Sequence, residues 1–359
     1  MKSTARVRRR RARLGVERLE DRTLLSNAIV TENQLPGTPE STWQVNGAGD
    51  PSLLGFATNS SVNHGQTVSF KIDDYPKAPY HIDIYRMGYY QGNGARLEAT
   101  IPASQVLKQV QPAPLTDSTT GLIDAGNWAV SASWAVPATA VSGLYMARAT
   151  RDDTGGASMI YFVVRADESH SDLLFQTSDS TWQAYNNWDG KGNGTAFFGS
   201  GGTYGGVSLY TYNGSNPTLQ GEGRAYKVSY NRPLVDDSQG GGYGDYNSPL
   251  HGEYPMVRWL EANGYDTSYS TDVDSDRSGA LIKNHKAFLS VGHDEYWSGG
   301  QRANVTAARD AGVNLAFFSG NESFWKTRWE NSIDGSGATY RTLVCYKESK
   351  DNAPTDPLD

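Results

Sequence analysis

Apolar and polar residues alternate with a period of two through much of the first half of the chain. Thr67-Val68-Ser69-Phe70-Lys71-Ile72 alternates, as does His81-Ile82-Asp83-Ile84-Tyr85-Arg86-Met87, which ends at Gly88. Trp128-Ala129-Val130 and the runs at 143–149 and 159–164 continue the series. Such alternation puts successive side chains on opposite faces of a strand. The breaks between these runs are rich in Gly, Pro, Asp and Asn, the residues of tight turns. From about residue 53 to 166 the signals are all strand, which predicts a β-sandwich of roughly 100 residues, immunoglobulin-like in size. Residues 27–50, polar and containing Pro36 and Pro39, read as a linker or a loose first strand.

The pattern changes near residue 170. Asp172-Leu173-Leu174-Phe175-Gln176-Thr177 reads as a buried strand. Residues 186–248, dominated by Gly, Asn, Asp and Tyr, read as a long loop-rich insertion, uncommon inside a compact domain unless it is functional. Residues 255–264 predict a helix, with Pro255 in its first turn, Gly264 as its stop and an apolar face at 256, 257, 259 and 260. Strands follow at 266–270, 285–292 and 313–318, with a helix at 297–312 that ends on Gly312. Strands alternating with helices predict a mostly parallel sheet with helices on its faces, a three-layer α/β domain. The expected organisation is a leader at 1–27, a β-sandwich domain at 28–167 and an α/β domain at 168–359.

Composition narrows the function classes. The 359 residues are 37% apolar and 20% charged, enough for two cores. Nine Lys/Arg and three acids give residues 1–26 a net charge of +6, so the remainder of a chain of net −7 carries −13. A body that acidic repels nucleic acid. No run approaches the 18 apolar residues of a membrane span. Cys345 is the one cysteine, so no intramolecular disulfide forms, and a small buried apolar role suits it. Arg18-Leu19-Glu20-Asp21-Arg22-Thr23-Leu24-Leu25-Ser26 resembles the LE-x-R-x-LLS motif of exported bacterial envelope proteins. That resemblance implies a disordered leader and an exported protein, in the cell envelope or outside the cell; an amphipathic basic tail is the plainer reading.

Three predicted strands run into segments that are aromatic, polar and charged together: 180–188, 292–297 and 319–325. Sites in open α/β sheets form at the carboxyl ends of strands, so three such ends suggest one pocket. Gly292-His293-Asp294-Glu295-Tyr296-Trp297 offers a proton carrier beside two hard oxygen donors. A helix cap by Asp294, with Glu295 favouring the dipole, explains part of the segment but needs no histidine. Ser290 and Ser319 lie near strand ends, yet neither sits in the G-x-S-x-G turn of a serine hydrolase.

These segments, with Leu260–Asp266 and Trp182–Asn186, resemble the C-terminal domain of the N,N-dimethylformamidase large (beta) subunit family. Tyr80–Gly94 is similar to the β-sandwich that precedes that domain in many relatives, and the resemblance covers roughly residues 45–359. It implies a glutaminase-amidotransferase-like layered α/β fold and an iron-dependent hydrolase of amide C–N bonds acting on a small amide-type substrate. It implies ferric iron (Fe3+) held by Tyr185, a second tyrosine and Glu295, with His293 and Asn321 beside the metal. Tyr226 is the assignment for the second tyrosine, with Tyr210 and Tyr230 as alternatives. It also implies a small partner subunit or a homo-oligomer, and a domain continuing past residue 359 with a further acid, so that this copy is expected to be truncated. The chemistry is coherent: phenolates and a carboxylate are hard ligands suited to a highly charged cation. Two other readings stand beside it. One is a non-catalytic exported module that binds glycans or cell-envelope polymers through its aromatic loops. The other is a degenerate glutaminase-like scaffold.

Overall fold

The computed structural model describes residues 27–45, 47, 49–190, 206–210, 219–220, 223–234, 248–348 and 353–358. The basic leader and much of the expected insertion lie outside the described residues. Where a linker or loose strand is expected, two short helices form, α1 (Ala28–Asn33) and α2 (Glu40–Trp43). The Asn27 side chain caps α1 by accepting the Val30 N–H. Helices this short do not persist alone; burial of Ile29 and Trp43 in a cluster with Val257 and Leu260 holds them.

The strand series then runs β1 (Leu53–Ala57), β2 (Ser61–Asn63), β3 (Thr67–Asp74), β4 (Tyr80–Met87), β5 (Ala95–Ile101), β6 (Leu115–Asp117), β7 (Leu122–Asp124), β8 (Ala132–Ala135), β9 (Gly143–Arg151) and β10 (Ala157–Arg165). One sheet has the order β1-β3-β8, another β2-β10-β9-β4-β5, and β6 and β7 pair separately. The two larger sheets share one core: Leu53, Val68 and Phe70 from the first pack with Ile82, Tyr145 and Phe162 from the second. Alternation in the sequence therefore marks the true inward faces. Trp128–Val130 is not strand as expected. Trp128 follows a 3-10 turn and buries its ring between Phe56 and Trp188, at 5.7 Å from each.

The second half contains β11 (Leu173–Gln176), α3 (Asp179–Tyr185), β12 (Lys227–Ser229), α4 (Pro249–Gly252), α5 (Tyr254–Ala262), β13 (Thr267–Ser270), α6 (Asp272–Arg277), β14 (Ala287–Gly292), β15 (Tyr296–Ser298), α7 (Gly299–Asp310), β16 (Asn314–Ser319), β17 (Trp325–Glu330) and β18 (Thr342–Val344). All pairings in the sheet β13-β11-β14-β16 are parallel, as the strand–helix alternation predicts. A smaller mixed sheet, β12-β18-β17-β15, lies outside the prediction. The chain leaves β11 for β13 on one side and returns to β14 on the other. In such sheets ligands bind at the carboxyl ends of the strands where the order reverses, here those of β11 and β14, which makes this the candidate crevice.

The two halves are joined by a core of their own. Met87, Leu144 and Met159 pack with Phe175, Tyr269, Leu289 and Val291. Beside it a wholly buried ion pair crosses from β4 to α5. Arg86 Nη2 and Nη1 donate to Glu261 Oε1 and Oε2 at 2.7 and 3.0 Å.

Candidate functional site

The crevice is built from two turns. After β11 the chain enters α3 at once, and seven residues carry it to Tyr185 at the helix end. After β14 it turns at Gly292, whose φ is +100°, a conformation that favours glycine. Space demands glycine too: a Cβ there would lie 2.6 Å from Glu253 Oε1 and from Ser178 Oγ. The turn then presents His293, Asp294 and Glu295.

Glu295 is the focus. Its Oε2 accepts the Tyr185 hydroxyl at 2.9 Å and lies 3.5 Å from His293 Nε2. Its Oε1 accepts Trp325 Nε1–H at 2.9 Å. Its backbone N–H donates to Thr181 Oγ1, on α3, at 3.0 Å. Glu295 is buried, and burial lowers the His293 pKa while the Glu295 charge opposes that shift. His293 is thus biased toward the neutral imidazole, able to take a proton.

The remaining expected residues divide. Tyr210 stacks on Tyr185, with ring centroids 4.1 Å apart. Tyr226, the expected second ligand, packs its ring on Tyr346 at 4.6 Å, and its carbonyl accepts the Cys345 N–H. Tyr230 donates its hydroxyl to Asp179 Oδ2 at 3.0 Å. Asn321 is exposed in the turn after β16, with φ +50°. Its neighbour Gly320 adjoins the His293 ring, where a Cβ would meet Nδ1 at 3.7 Å. The expected cap role of Asp294 is not what forms: Ser298 caps α7 by accepting the Gln301 N–H.

Asp294 turns inward instead. Its Oδ2 accepts Gln176 Nε2–H and Ser290 Oγ–H, each at 2.6 Å, and Ser290 also donates to Glu322 at 3.0 Å. Burial, then the Glu322 charge, pushes Asp294 up to about 8. Asp272 and Asp179, deeper still, are raised by burial and by neighbouring carboxylates. Glu253 is pushed up to about 8 by burial. Its Oε1 accepts Ser178 N–H and Trp182 Nε1–H at 3.1 and 2.9 Å, at the start of α3. Ser178 Oγ also accepts the His293 N–H at 3.3 Å, so one buried acid braces both turns.

Sequence reasoning named Glu295, Tyr185 and His293, and the structure brings them together. It gave no role to Thr181, Glu253 or Lys347. The Lys347 ammonium is buried among rings, 4.6 Å from the Trp325 centroid and 5.8 Å from that of Tyr210, and donates to the Tyr296 hydroxyl at 2.9 Å. A lone lysine in the segment just after β18 carries no sequence signal for that position.

The family model described as N,N-dimethylformamidase beta subunit-like, C-terminal, matches residues 81–358, most of the chain. The chain belongs to this family. The dimethylformamidase-like match begins within β4 and so takes in strands of the facing sheets as well as the parallel sheet. No curated protein matches. Among solved structures, an AA10 lytic polysaccharide monooxygenase from Streptomyces lividans is similar at 18% identity over 39% of this chain and 87% of that one, with a TM-score of 0.19. Among the described residues no helix is long and apolar enough to cross a membrane.

Proposed function

We propose that this dimethylformamidase-like chain is an iron-dependent hydrolase of amide carbon–nitrogen bonds. One observation carries the reading. The Tyr185 hydroxyl and His293 Nε2 converge on the same Glu295 oxygen, at 2.9 and 3.5 Å, in the crevice where the parallel sheet reverses direction. In this reading a metal at Glu295 takes the neighbouring tyrosine as a further ligand. The donors fit: a carboxylate and phenols are hard oxygen ligands that suit ferric iron. Tyr210, stacked on Tyr185, replaces Tyr226 as the second tyrosine in this reading.

Bound iron would supply positive charge to polarise the amide carbonyl and acidify a water. The protein does the rest. Trp325 and Thr181 fix Glu295 by its side chain and backbone. His293, biased to the neutral form, takes the proton from the attacking water and passes it to the leaving amine. Asn321, which follows Gly320 in the turn after β16, supplies a donor to the oxygen that gains charge. The substrate is a small amide; a small partner subunit or a homo-oligomer and an exported location belong to the same proposal. So do an immunoglobulin-like reading of the facing sheets and a glutaminase-amidotransferase-like reading of the parallel-sheet unit.

Iron content of the full-length protein and hydrolysis of short-chain amides test this. The expectation is about one iron per site, lost in Glu295→Ala together with activity by at least 100-fold. An iron-free protein, or one whose hydrolysis survives Glu295→Ala, overturns it; glycan binding untouched by Glu295→Ala and Tyr185→Ala would then favour the non-catalytic module.

A further inference from the structure

We propose that the crevice between β1 and α3 is a binding site for one small monovalent anion of the chloride class, held by Arg232 and Arg341. The crevice measures about 40 Å³ and is lined by Phe56, Asn59, Asp179, Tyr230, Arg232 and Arg341 among others. One water needs about 10–15 Å³ by that measure, so a chloride ion fits.

Both guanidiniums are buried, with 1% of Arg232 and 5% of Arg341 exposed. A buried arginine normally meets a carboxylate; these two meet neutral acceptors. Arg232 Nη2 donates to Gln183 O at 2.7 Å, and its buried Nε has no hydrogen-bond partner. Arg341 donates from Nε to Asn231 Oδ1 and from Nη2 to the carbonyls of Ala57 and Tyr230.

Among the described residues the nearby acids do not balance the two charges. Asp124 spends its oxygens on Gly126 N–H, Ser332 Oγ–H and Ile333 N–H, reaching the arginines only at longer range. Asp179 accepts from Tyr230 and Thr177, and burial together with Asp272 favours its neutral acid. Lys71 and Asp334 also lie within electrostatic reach of Arg341 and oppose each other. Arg277 also reaches Arg341 but is held by Asp274 at 2.7 Å, so among the described residues two guanidiniums face one ionised carboxylate, a surplus of one positive charge that one monovalent anion cancels. Burial pushes Arg232 down to about 9 and Arg341 to about 10, so both stay charged at neutral pH.

The site would act as a weld. Gln183 belongs to α3, and the carbonyl of Ala57 belongs to β1. An anion between the arginines fixes the facing sheets to the helix that carries Tyr185. The inference does not depend on the metal reading.

Thermal unfolding of the full chain in sodium gluconate against sodium chloride, at constant ionic strength, supplies the first test. Chloride is expected to raise Tm by several degrees, saturating as one site fills, with bromide equivalent. A Tm that is equal in gluconate and chloride, or that rises without saturating, overturns the proposal. Crystals of the wild-type protein grown with bromide are the second test, independent of any variant. An anomalous peak within hydrogen-bond distance of both guanidiniums is expected, and its absence from the crevice overturns the proposal. Arg232→Met should lose the chloride dependence of Tm whatever its own stability; a variant that keeps it overturns the assignment.

Discussion

Glu295 shows how much of the site depends on single residues placed by others. Its position requires the turn at Gly292, where φ is +100° and Glu253 fills the space a side chain would need. Gly292→Ala is expected to destabilise the fold by at least about 1–2 kcal/mol, from the left-handed backbone alone, with further loss from the clash. Denaturant unfolding of the variant checks this, and iron binding should fall with it. Glu253 gives a pH prediction. Its folded pKa of about 8 lies above its ordinary value of 4.5, so the protonated acid is the form that folding favours. The stability it contributes is complete below about pH 4.5 and is lost as pH rises toward 8. Tm measured from pH 5 to 8 should therefore decline, and Glu253→Gln, which keeps the shape without the charge, should decline less. Asp294, Asp272 and Asp179 are raised in the same direction, so the variant will flatten the slope without abolishing it.

Between elements, the sequence motifs turn out to be halves of contacts. Arg86 and Glu261 each belong to a segment that carries the family resemblance, and they form the buried bridge between β4 and α5. Gly88 is glycine because a Cβ there would lie 2.4 Å from Glu261 Oε2. Glu261 also accepts the Tyr269 hydroxyl and Asn33 Nδ2–H, each at 2.8 Å, so four elements and turns meet at one carboxylate. Removing one partner of such a pair strands the other charge in the interior. Glu261→Ala is expected to cost about 3–5 kcal/mol, read by urea unfolding. The double change Arg86→Met with Glu261→Leu should cost less than Glu261→Ala alone, because no unpaired charge remains. Period alone could not find this link: on α5, Glu261 is a polar position beside the apolar face, and only its partner makes it core.

Across the whole molecule, the core shared by the two halves decides how the chain behaves. Met87, Leu144 and Met159 from the facing sheets and Phe175, Leu289 and Val291 from the parallel sheet bury one another. Residues 168–359 expressed alone would expose that surface, and are expected to bind a hydrophobic dye and to unfold without a sharp transition. The full chain should instead give coincident unfolding curves by tryptophan fluorescence and far-ultraviolet circular dichroism, the mark of a single cooperative unit.

The sequence by itself determined the strands and helices whose periodicity is strong, such as β3, β4, α5 and β14, because side-chain alternation follows local backbone geometry. It determined the parallel sheet, through strands alternating with helices; unusual residues at strand ends pointed to 180–188 and 292–297, and the family resemblance singled out Tyr185, His293 and Glu295 within them. β13 was legible as a strand, but not the burial of all four residues of Thr267–Ser270, three of them hydroxyl-bearing Thr or Ser. The tertiary structure alone decided that segment's partners, the fate of the short helices α1 and α2, and the second sheet of β12, β15, β17 and β18. It also placed the tyrosine rings, setting Tyr210 on Tyr185 and Tyr226 on Tyr346. The physical reason is range: periodicity reports on neighbours a few residues apart, whereas ring stacking, buried ion pairs and unpaired guanidiniums depend on groups that only the folded chain brings together.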